Sequence, residues 1–240
     1  MGVATKKEEK IKIQTMKTNK IQTFSFLLVC VSTLLIFAQC STSKKYYANF
    51  KQAKKQIDTL VMLTPYVYVE FLKNKEVFKD YELEETLTAK ISAASYSELE
   101  GKYRLVNFVL QPDFISESEL SNLFSILDSS SKDSIVPTPL FIQNHIKNDT
   151  NRYFLLIYFK GYYNSHFEPY YQLKQSMASN TMSISINNNL YSSDMRLLIF
   201  DNQQNIVVYY DKDYSKKNDP RVINVIEKMT SDILMPIYYK

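Results

Sequence analysis

Several residue types that build common functional sites are scarce in this sequence. It has no tryptophan, two cysteines, two histidines and three glycines among 240 residues. A nucleotide-binding loop needs glycines where the backbone approaches phosphate, so this glycine content argues against one. His145, His166 and the carboxylates do not show the spacing of a metal site. The sequence therefore predicts no metal and no cofactor.

Catalytic groups are equally hard to find. The serines at 129–131 lie near His145 in sequence, but no Gly-x-Ser-x-Gly nucleophile elbow accompanies them, so we expect solvated loop side chains. Glu84 and Glu85 are adjacent on a predicted helix and face different ways, so we expect both to be solvated and not to form the paired carboxylates of a glycosidase. The sequence therefore predicts no catalytic residue.

A second acidic pair, Asp211 and Asp213, flanks Lys212 at the end of a predicted strand. Charged side chains at such a position usually keep a loop soluble, and we expect both aspartates to be solvated.

The first forty residues differ in composition from the rest. An uncharged apolar run at 24–38 follows a basic segment, which is typical of a secretory signal peptide. The run is short for a bilayer-spanning helix, which needs about 20 apolar residues. An uncleaved anchor and ordinary secretion remain alternatives. Met16 and Lys17 begin a compact signal peptide by themselves, so we interpret 1–15 as an upstream extension and 16–39 as the signal peptide.

The apolar run ends at Phe37-Ala38-Gln39-Cys40, a sequence that resembles a lipobox. Phe37 and Gln39 depart from the usual leucine and small residue, and the match is closer to lipoproteins of Bacteroidota-type bacteria. The resemblance implies that Cys40 becomes the lipidated first residue of the mature protein. Residues 40–55 are then predicted to form the lipidated cysteine and a tether, and 56–240 a single domain.

Charge and cysteine content agree with this division. Residues 1–40 hold six lysines and two glutamates, and removing them from the totals of 29 basic and 25 acidic residues leaves 23 of each. A nucleic-acid-binding protein usually carries a basic excess, so we expect no nucleic acid partner. Cys30 would leave with the signal peptide, and Cys40 would be the only mature cysteine, which excludes an intramolecular disulfide.

The mature chain alternates between strand and helix patterns. Pro65 interrupts an apolar and aromatic strand, Gly101 suits the end of a helix, and Asp219-Pro220 suits the start of the last helix, which Pro236 should end. Ser116 and Glu119 form a capping box. The pattern predicts helices at 82–100, from 116 and from 219, and strands at 59–71, 103–110, 152–163, 181–191, 195–200 and 206–210.

This order, written β-α-β-α-β-β-β-α, predicts a single mixed α/β domain with an antiparallel C-terminal meander and about three helices. The late hairpin at 196–210, with its Asp-containing turn before the final helix, resembles periplasmic assembly domains such as the curli-secretion lipoprotein and the N-terminal domain of the Tol–Pal translocation protein. The resemblance implies an assembly role in the envelope, and it carries no functional residue with it.

All nineteen tyrosines follow Cys40, and aromatic residues cluster around Pro169. Aromatic side chains with a polar handle suit recognition of protein or glycan, although they equally complete a core. The cluster is a candidate binding surface formed by Tyr162, Tyr163, His166, Phe167, Tyr170 and Tyr171.

These observations favour a lipid-anchored envelope protein that assembles with or binds an envelope partner without catalysis. A hydrolase with an unrecognised site and a surface module that binds glycan or protein are the alternatives. Surface-exported lipoproteins of Bacteroidota resemble one another in an acidic run after the cysteine, and residues 41–45 contain no acid. We therefore expect an outer-membrane anchor facing the periplasm.

This orientation predicts that the domain is inaccessible from outside the cell. Protease treatment of intact cells should leave it uncut, whereas treatment after outer-membrane permeabilisation should degrade it. Immunoblotting against the C-terminal helix provides the measurement. Loss of the domain from intact cells would instead place it on the surface.

Overall fold

A computed structural model describes most of the chain after Thr42, where the chain divides into two units, 1–42 and 43–240. The described residues all belong to the second unit and are 45–46, 50, 54–109, 117–131, 134–165 and 190–238. No helix among them is long and apolar enough to cross a membrane.

The described residues form eight strands, four α-helices and one turn of 3₁₀ helix at Lys54–Gln56. The strands are β1 (Lys45–Tyr46), β2 (Thr59–Leu63), β3 (Tyr66–Lys73), β4 (Glu76–Lys79), β5 (Arg104–Phe108), β6 (Tyr153–Asn164), β7 (Tyr191–Asp201) and β8 (Ile206–Ser215). The helices are α1 (Tyr81–Leu99), α2 (Glu117–Ser129), α3 (Leu140–Ile146) and α4 (Ile223–Tyr238).

All eight strands belong to one mixed sheet. Its main path is β1-β8-β7-β6-β2-β5, in which β6, β7 and β8 are antiparallel and β2 runs parallel to both β5 and β6. Strand β3 continues the line of β2 beside β6, and β4 pairs with β3 in a hairpin. Pro65 separates β2 from β3, because a proline cannot donate to a strand ladder.

Helices cover both faces of the sheet, so the domain has two apolar cores. The α1 face packs Leu87 and Ile91 together with Met229 and Ile233 of α4 against the sheet. The α2 face packs α2 and α3 against the opposite side, with Phe154 among the sheet residues that it buries. The 153–159 segment of β6 is buried throughout, which explains its continuous apolar sequence.

Three pieces of the predicted tether pack with the domain. Lys45 and Tyr46 pair with Tyr210 and Tyr209 at the edge of β8. The side chain of Phe50 is fully buried, with its ring 6.1 Å from Tyr153 and 5.9 Å from Tyr209 between centroids. Part of the 40–55 segment, predicted as a tether, therefore packs against the domain.

Two distant side chains, one of them Lys54 in the predicted tether, supply hydrogen-bond donors to the C-terminal end of α4. Lys54 Nζ donates to the carbonyl of Pro236 at 2.8 Å, and the Tyr103 hydroxyl donates to the carbonyl of Ile237 at 2.7 Å. These are carbonyls of the last helical turn, which have no partner within the helix. Burial raises the pKa of Tyr103 to about 12, so this donor stays protonated.

Helix boundaries follow the predicted signals in α1 and depart from them in α4. Asp80 caps α1 by accepting from the amide of Leu83 at 3.0 Å, and Gly101 has the positive φ of 74° expected beyond a helix end. Asp219 accepts from the amide of Arg221 in a turn, and α4 begins only at Ile223. Pro236 lies inside α4, so the prediction that it ends the helix is wrong.

The predicted fold class is confirmed: the chain forms a single mixed α/β domain whose C-terminal strands are antiparallel. The sequence analysis missed β1, β4 and α3, which are two, four and seven residues long. Elements this short repeat a hydrophobic period at most about twice, which is too few times for the pattern to be recognised. The 181–189 part of one predicted strand lies outside the described residues, and Tyr191 begins β7.

The packing of Phe50 predicts that the segment before β2 stabilises the domain. Phe50→Ala should reduce the free energy of unfolding by about 3–4 kcal/mol, because it leaves a cavity in the core. Phe78→Ala removes the same atoms from a side chain that is 42% exposed and should cost about 1 kcal/mol or less. Urea unfolding of both variants provides the measurement, and equal losses would show that the segment does not contribute.

Candidate functional site

An open polar cleft lies between α2 and the sheet. It has a volume of about 610 Å³, and eight of its ten lining residues are polar or charged. The lining residues are Glu117, Ser121, Phe124, Ser125, Asp128, Ser129, Tyr158, Lys160, Asp194 and Arg196.

One wall of the cleft is the exposed stripe of α2. Glu117, Ser121, Ser125 and Ser129 are spaced by four residues, which places them along one side of the helix. The side of α2 turned toward the core buries Leu120, Leu123 and Leu127, and Phe124, also buried, lies at the boundary between this side and the cleft. The amphipathic pattern that docks the helix on the sheet therefore also orients its serines toward the cleft.

The other wall is a patch of charged residues on two neighbouring strands. Tyr158 pairs with Arg196 and Lys160 pairs with Asp194 across β6 and β7. Alternate residues of a strand point to the same face, so these four side chains share the α2 face of the sheet. The apolar residues Met195 and Leu197, which alternate with Asp194 and Arg196 along β7, belong to the core on the α1 face.

Arg196 connects the two walls. Its Nε and Nη2 atoms donate to Asp194 Oδ2 at 3.0 and 2.8 Å, and Nη1 lies 3.1 Å from the Tyr210 hydroxyl and 3.4 Å from Asp128 Oδ2. The guanidinium carbon is 4.4 Å from the centroid of the Phe124 ring. A fork of donors held by two carboxylates and an aromatic face has little freedom to rotate.

Asp128, on α2, receives the remaining contacts of this network. Its Oδ1 accepts from the Tyr210 hydroxyl at 2.8 Å and from Lys212 Nζ at 2.9 Å. Burial raises the pKa of Asp128, but hydrogen bonds from Lys212 and Tyr210 and the charge of Arg196 outweigh it, so the net pKa lies below its ordinary value. Asp128 is therefore ionised at neutral pH.

A second ion pair crosses the other end of the cleft. Lys160 Nζ donates to Glu117 Oε1 at 2.5 Å, joining β6 to the first turn of α2. The same ammonium lies 4.9 Å from the centroid of Tyr68, and Lys79 lies 5.1 Å from that ring. Tyr158 forms the floor beside Phe124, with 4.8 Å between ring centroids, and burial raises its pKa so that it stays neutral.

The charged groups of the cleft are paired with one another. Every charged residue that lines the cleft has an oppositely charged partner within it. Within the described ranges, no group of three or more His, Cys, Asp or Glu side chains could hold a metal ion. The cleft therefore presents fixed hydrogen-bonding groups and partly exposed carboxylates to a bound molecule.

The predicted aromatic surface is only partly within the described residues. Tyr163 is buried on the α1 face, where its ring stacks on Phe71 at 5.6 Å and its hydroxyl donates to Asp80 at 2.5 Å. Tyr162 is half-buried on the α2 face, two residues beyond Lys160. The two adjacent tyrosines therefore point to opposite faces. Cys40, His166, Phe167, Tyr170 and Tyr171 lie outside the described residues.

Two residues expected to be solvated hold the structure together instead. Glu84 accepts from the amide of Val69 at 2.9 Å and lies 3.3 Å from Lys79 Nζ. His145 lies in α3 rather than a loop, and its Nδ1 is 2.6 Å from the carbonyl of Phe141. The expectation that Glu84 is solvated is therefore wrong.

The same correction applies to the aspartates of β8. Asp211 is buried and accepts from the Tyr209 hydroxyl at 3.1 Å. Asp213 is half-buried, and burial raises its pKa, with smaller contributions from the charges of Asp232 and Asp194. Strand β8 extends to Ser215, so these positions belong to the sheet and not to a loop.

A smaller groove of about 390 Å³ lies between α1 and β5 and is mainly apolar. Small residues of α1, among them Ala89 and Ala93, form one side, and Phe108 and Val109 form part of the other. It contains no charged side chain, in contrast to the cleft at α2.

Comparison with known proteins finds no sequence relative and only distant structural likenesses. Its sequence matches no protein-family model and no curated protein. Similar solved structures include the PelC dodecamer from Paraburkholderia phytofirmans, at 7% identity and a TM-score of 0.36, covering 77% of this chain and 90% of that one. The C-terminal domain of LpoB from Salmonella enterica has 14% identity and a TM-score of 0.28, with coverage of 71% and 95%.

Lipoprotein GNA1162 from Neisseria meningitidis is a further such structure, at 9% identity and a TM-score of 0.29, covering 75% of this chain and 99% of that one. All three likenesses have TM-scores below 0.5, and no residue role comes with them.

The lowered pKa of Asp128 predicts how the network responds to acid. A carboxylate whose folded pKa is lowered stabilises the fold above its unfolded pKa, near 4, and loses this contribution as the pH falls through the folded pKa. The stability difference between wild type and Asp128→Asn should therefore be largest near pH 6 and shrink toward pH 2.

Urea unfolding at a series of pH values measures this difference. Asp58→Asn, at an exposed aspartate, is the matched control and should change the stability little. A pH-independent difference for Asp128→Asn would contradict the proposed ionisation.

Proposed function

We propose that this chain is a lipid-anchored protein of the bacterial cell envelope whose domain binds a partner without chemically changing it. The anchor is Cys40, and the domain faces the periplasm from the outer membrane. The lipobox-like sequence, the charge-neutral mature chain and the single mature cysteine support the anchor.

The observation that carries the binding role is the state of the charged groups in the cleft at α2. Lys160 and Arg196 are held by carboxylates, and Asp128 is held by three donors. A general acid or base must exchange a proton during the reaction, and its pKa usually lies near the working pH. At neutral pH Asp128 is ionised and Tyr158 is neutral. Groups whose position and protonation state are both fixed favour the binding of a partner molecule over catalysis.

The position of β1 supports a domain held close to the membrane. Only residues 41–44 separate Cys40 from Lys45, where β1 begins to pair with β8. The five Cα-to-Cα steps from Cys40 to Lys45 span at most about 18 Å in an extended chain. An acylated Cys40 would therefore leave the domain little freedom to move away from the lipid surface.

The two cysteines give a matched test of the anchor. Cys40→Ala should abolish incorporation of labelled palmitate and shift the protein from the membrane fraction to the soluble fraction, because acyl chains supply the membrane affinity. Cys30→Ala removes the same thiol from the apolar run and should leave labelling and membrane association unchanged. Membrane retention of Cys40→Ala, or loss of labelling in both variants, would contradict lipidation at Cys40.

A further inference from the structure

We propose that the cleft at α2 binds an uncharged glycan chain along the length of the helix. This inference rests on the proposed binding function and names the class of ligand. It is carried by the length of the cleft, the balance of its charges and the hydrogen-bonding capacity of its walls.

The α2 wall presents polar groups over an extended distance. Glu117, Ser121, Ser125 and Ser129 line the cleft at every fourth position. Twelve residues of α-helix span roughly 18 Å, at 1.5 Å per residue. A ligand that contacts the whole wall is therefore elongated, and several successive units of a linear chain satisfy this requirement better than one small molecule.

The charges of the cleft select against an ionic ligand. Glu117, Asp128 and Asp194 are balanced by Lys160, by Arg196 and by Lys212, which binds Asp128. An anion could bind Arg196 strongly only by displacing Asp194, whose carboxylate already accepts from two of the guanidinium nitrogens. A cation gains little at the carboxylates of α2, because Lys160 already neutralises Glu117 and Arg196 and Lys212 already neutralise Asp128. A neutral ligand leaves both pairs intact.

The carboxylate of Glu117 still has room for hydroxyl donors. An ionised carboxylate offers about four acceptor positions. Glu117 is 35% exposed, and Lys160 binds it through Oε1. The hydroxyls of Ser121 and Ser125, on exposed positions of α2, can both donate and accept. Such alternating donors and acceptors match the hydroxyl groups of a sugar chain.

The composition of the cleft also distinguishes a glycan from a protein partner. The centre of a protein interface is depleted in charged residues and enriched in apolar area. Here five of the ten lining residues are charged, and the two aromatic residues, Phe124 and Tyr158, lie buried in the floor. A hydroxyl-rich chain can exchange water for these polar groups, whereas an apolar protein surface cannot.

Titration calorimetry of the full chain in detergent tests the ligand class. The probes are three uncharged oligosaccharides (cellotetraose, maltotetraose and chitotetraose), with deacetylated chitosan tetramer as a cationic and tetragalacturonate as an anionic comparison. We expect saturable binding of at least one uncharged probe with a Kd between about 10 μM and 1 mM. The charged probes should bind at least about tenfold more weakly. Absence of binding by all three uncharged probes, or tighter binding of a charged one, would overturn the inference.

Matched variants on α2 test the location. Ser125→Tyr fills the cleft and should weaken binding of the uncharged probe by about tenfold or more, which is about 1.4 kcal/mol. Asn122→Tyr adds the same side chain at an exposed α2 position outside the cleft and should change affinity less than twofold. Ser121→Tyr gives the same test if Ser125→Tyr fails to fold, as judged by circular dichroism. Equal effects of the cleft and control variants would place the ligand elsewhere.

The result of the glycan-binding test is independent of the result of the lipidation test at Cys40. If Cys40 is acylated but no uncharged probe binds, the envelope assignment stands and the glycan inference falls. If a crosslinker placed at Ser125 captures an envelope protein while no uncharged probe binds, the cleft has a protein partner and the glycan inference is equally overturned.

Discussion

Burial of β6 on both faces is the constraint on which the rest of the described structure depends. Residues 153–159 of this strand are all buried, and β6 pairs with β2 and β3 on one side and with β7 on the other. A strand buried on both faces requires cover on both, which α1 and α4 supply on one side and α2 and α3 on the other. The segment before β2 contributes through Phe50 to the same core.

The cleft at α2 lies where the helices stop covering the α2 face of the sheet. Beyond Phe159, β6 alternates between the buried Gly161 and Tyr163 and the half-buried Lys160 and Tyr162. Gly161 is needed there because a Cβ atom would come within 2.8 Å of Pro220. Charges that are half-buried at the margin of a core are costly unless paired, which accounts for the mutual pairing of acids and bases in the cleft. The cleft is thus a consequence of how far α2 extends over the sheet.

Sequence patterns identified the elements in which the hydrophobic period repeats clearly and missed those too short or too exposed to show it. The spacing of Leu120, Leu123 and Leu127 located α2, and the apolar run at 152–163 located β6, because both patterns reflect burial of a whole face. Strand β4 is exposed at all four residues and follows a turn in which Asn74 and Lys75 have positive φ, so neither periodicity nor a glycine signals it. The C-terminal boundary of α4 was misplaced because Lys54 and Tyr103 supply partners to its last carbonyls from distant parts of the chain.

The sequence by itself determined the α/β class, the order of the long elements and the expectation of an anchor at Cys40, because each depends on local pattern, composition or charge. Only the tertiary structure decided which polar residues share a site. Asp128, Lys160 and Arg196 are separated by 32 and 36 residues and meet because β6 pairs with β7 under α2. Tyr162 and Tyr163, adjacent in sequence, are separated because a strand turns successive side chains to opposite faces. Sequence proximity therefore suggested an aromatic surface, whereas sheet register produced a charged cleft.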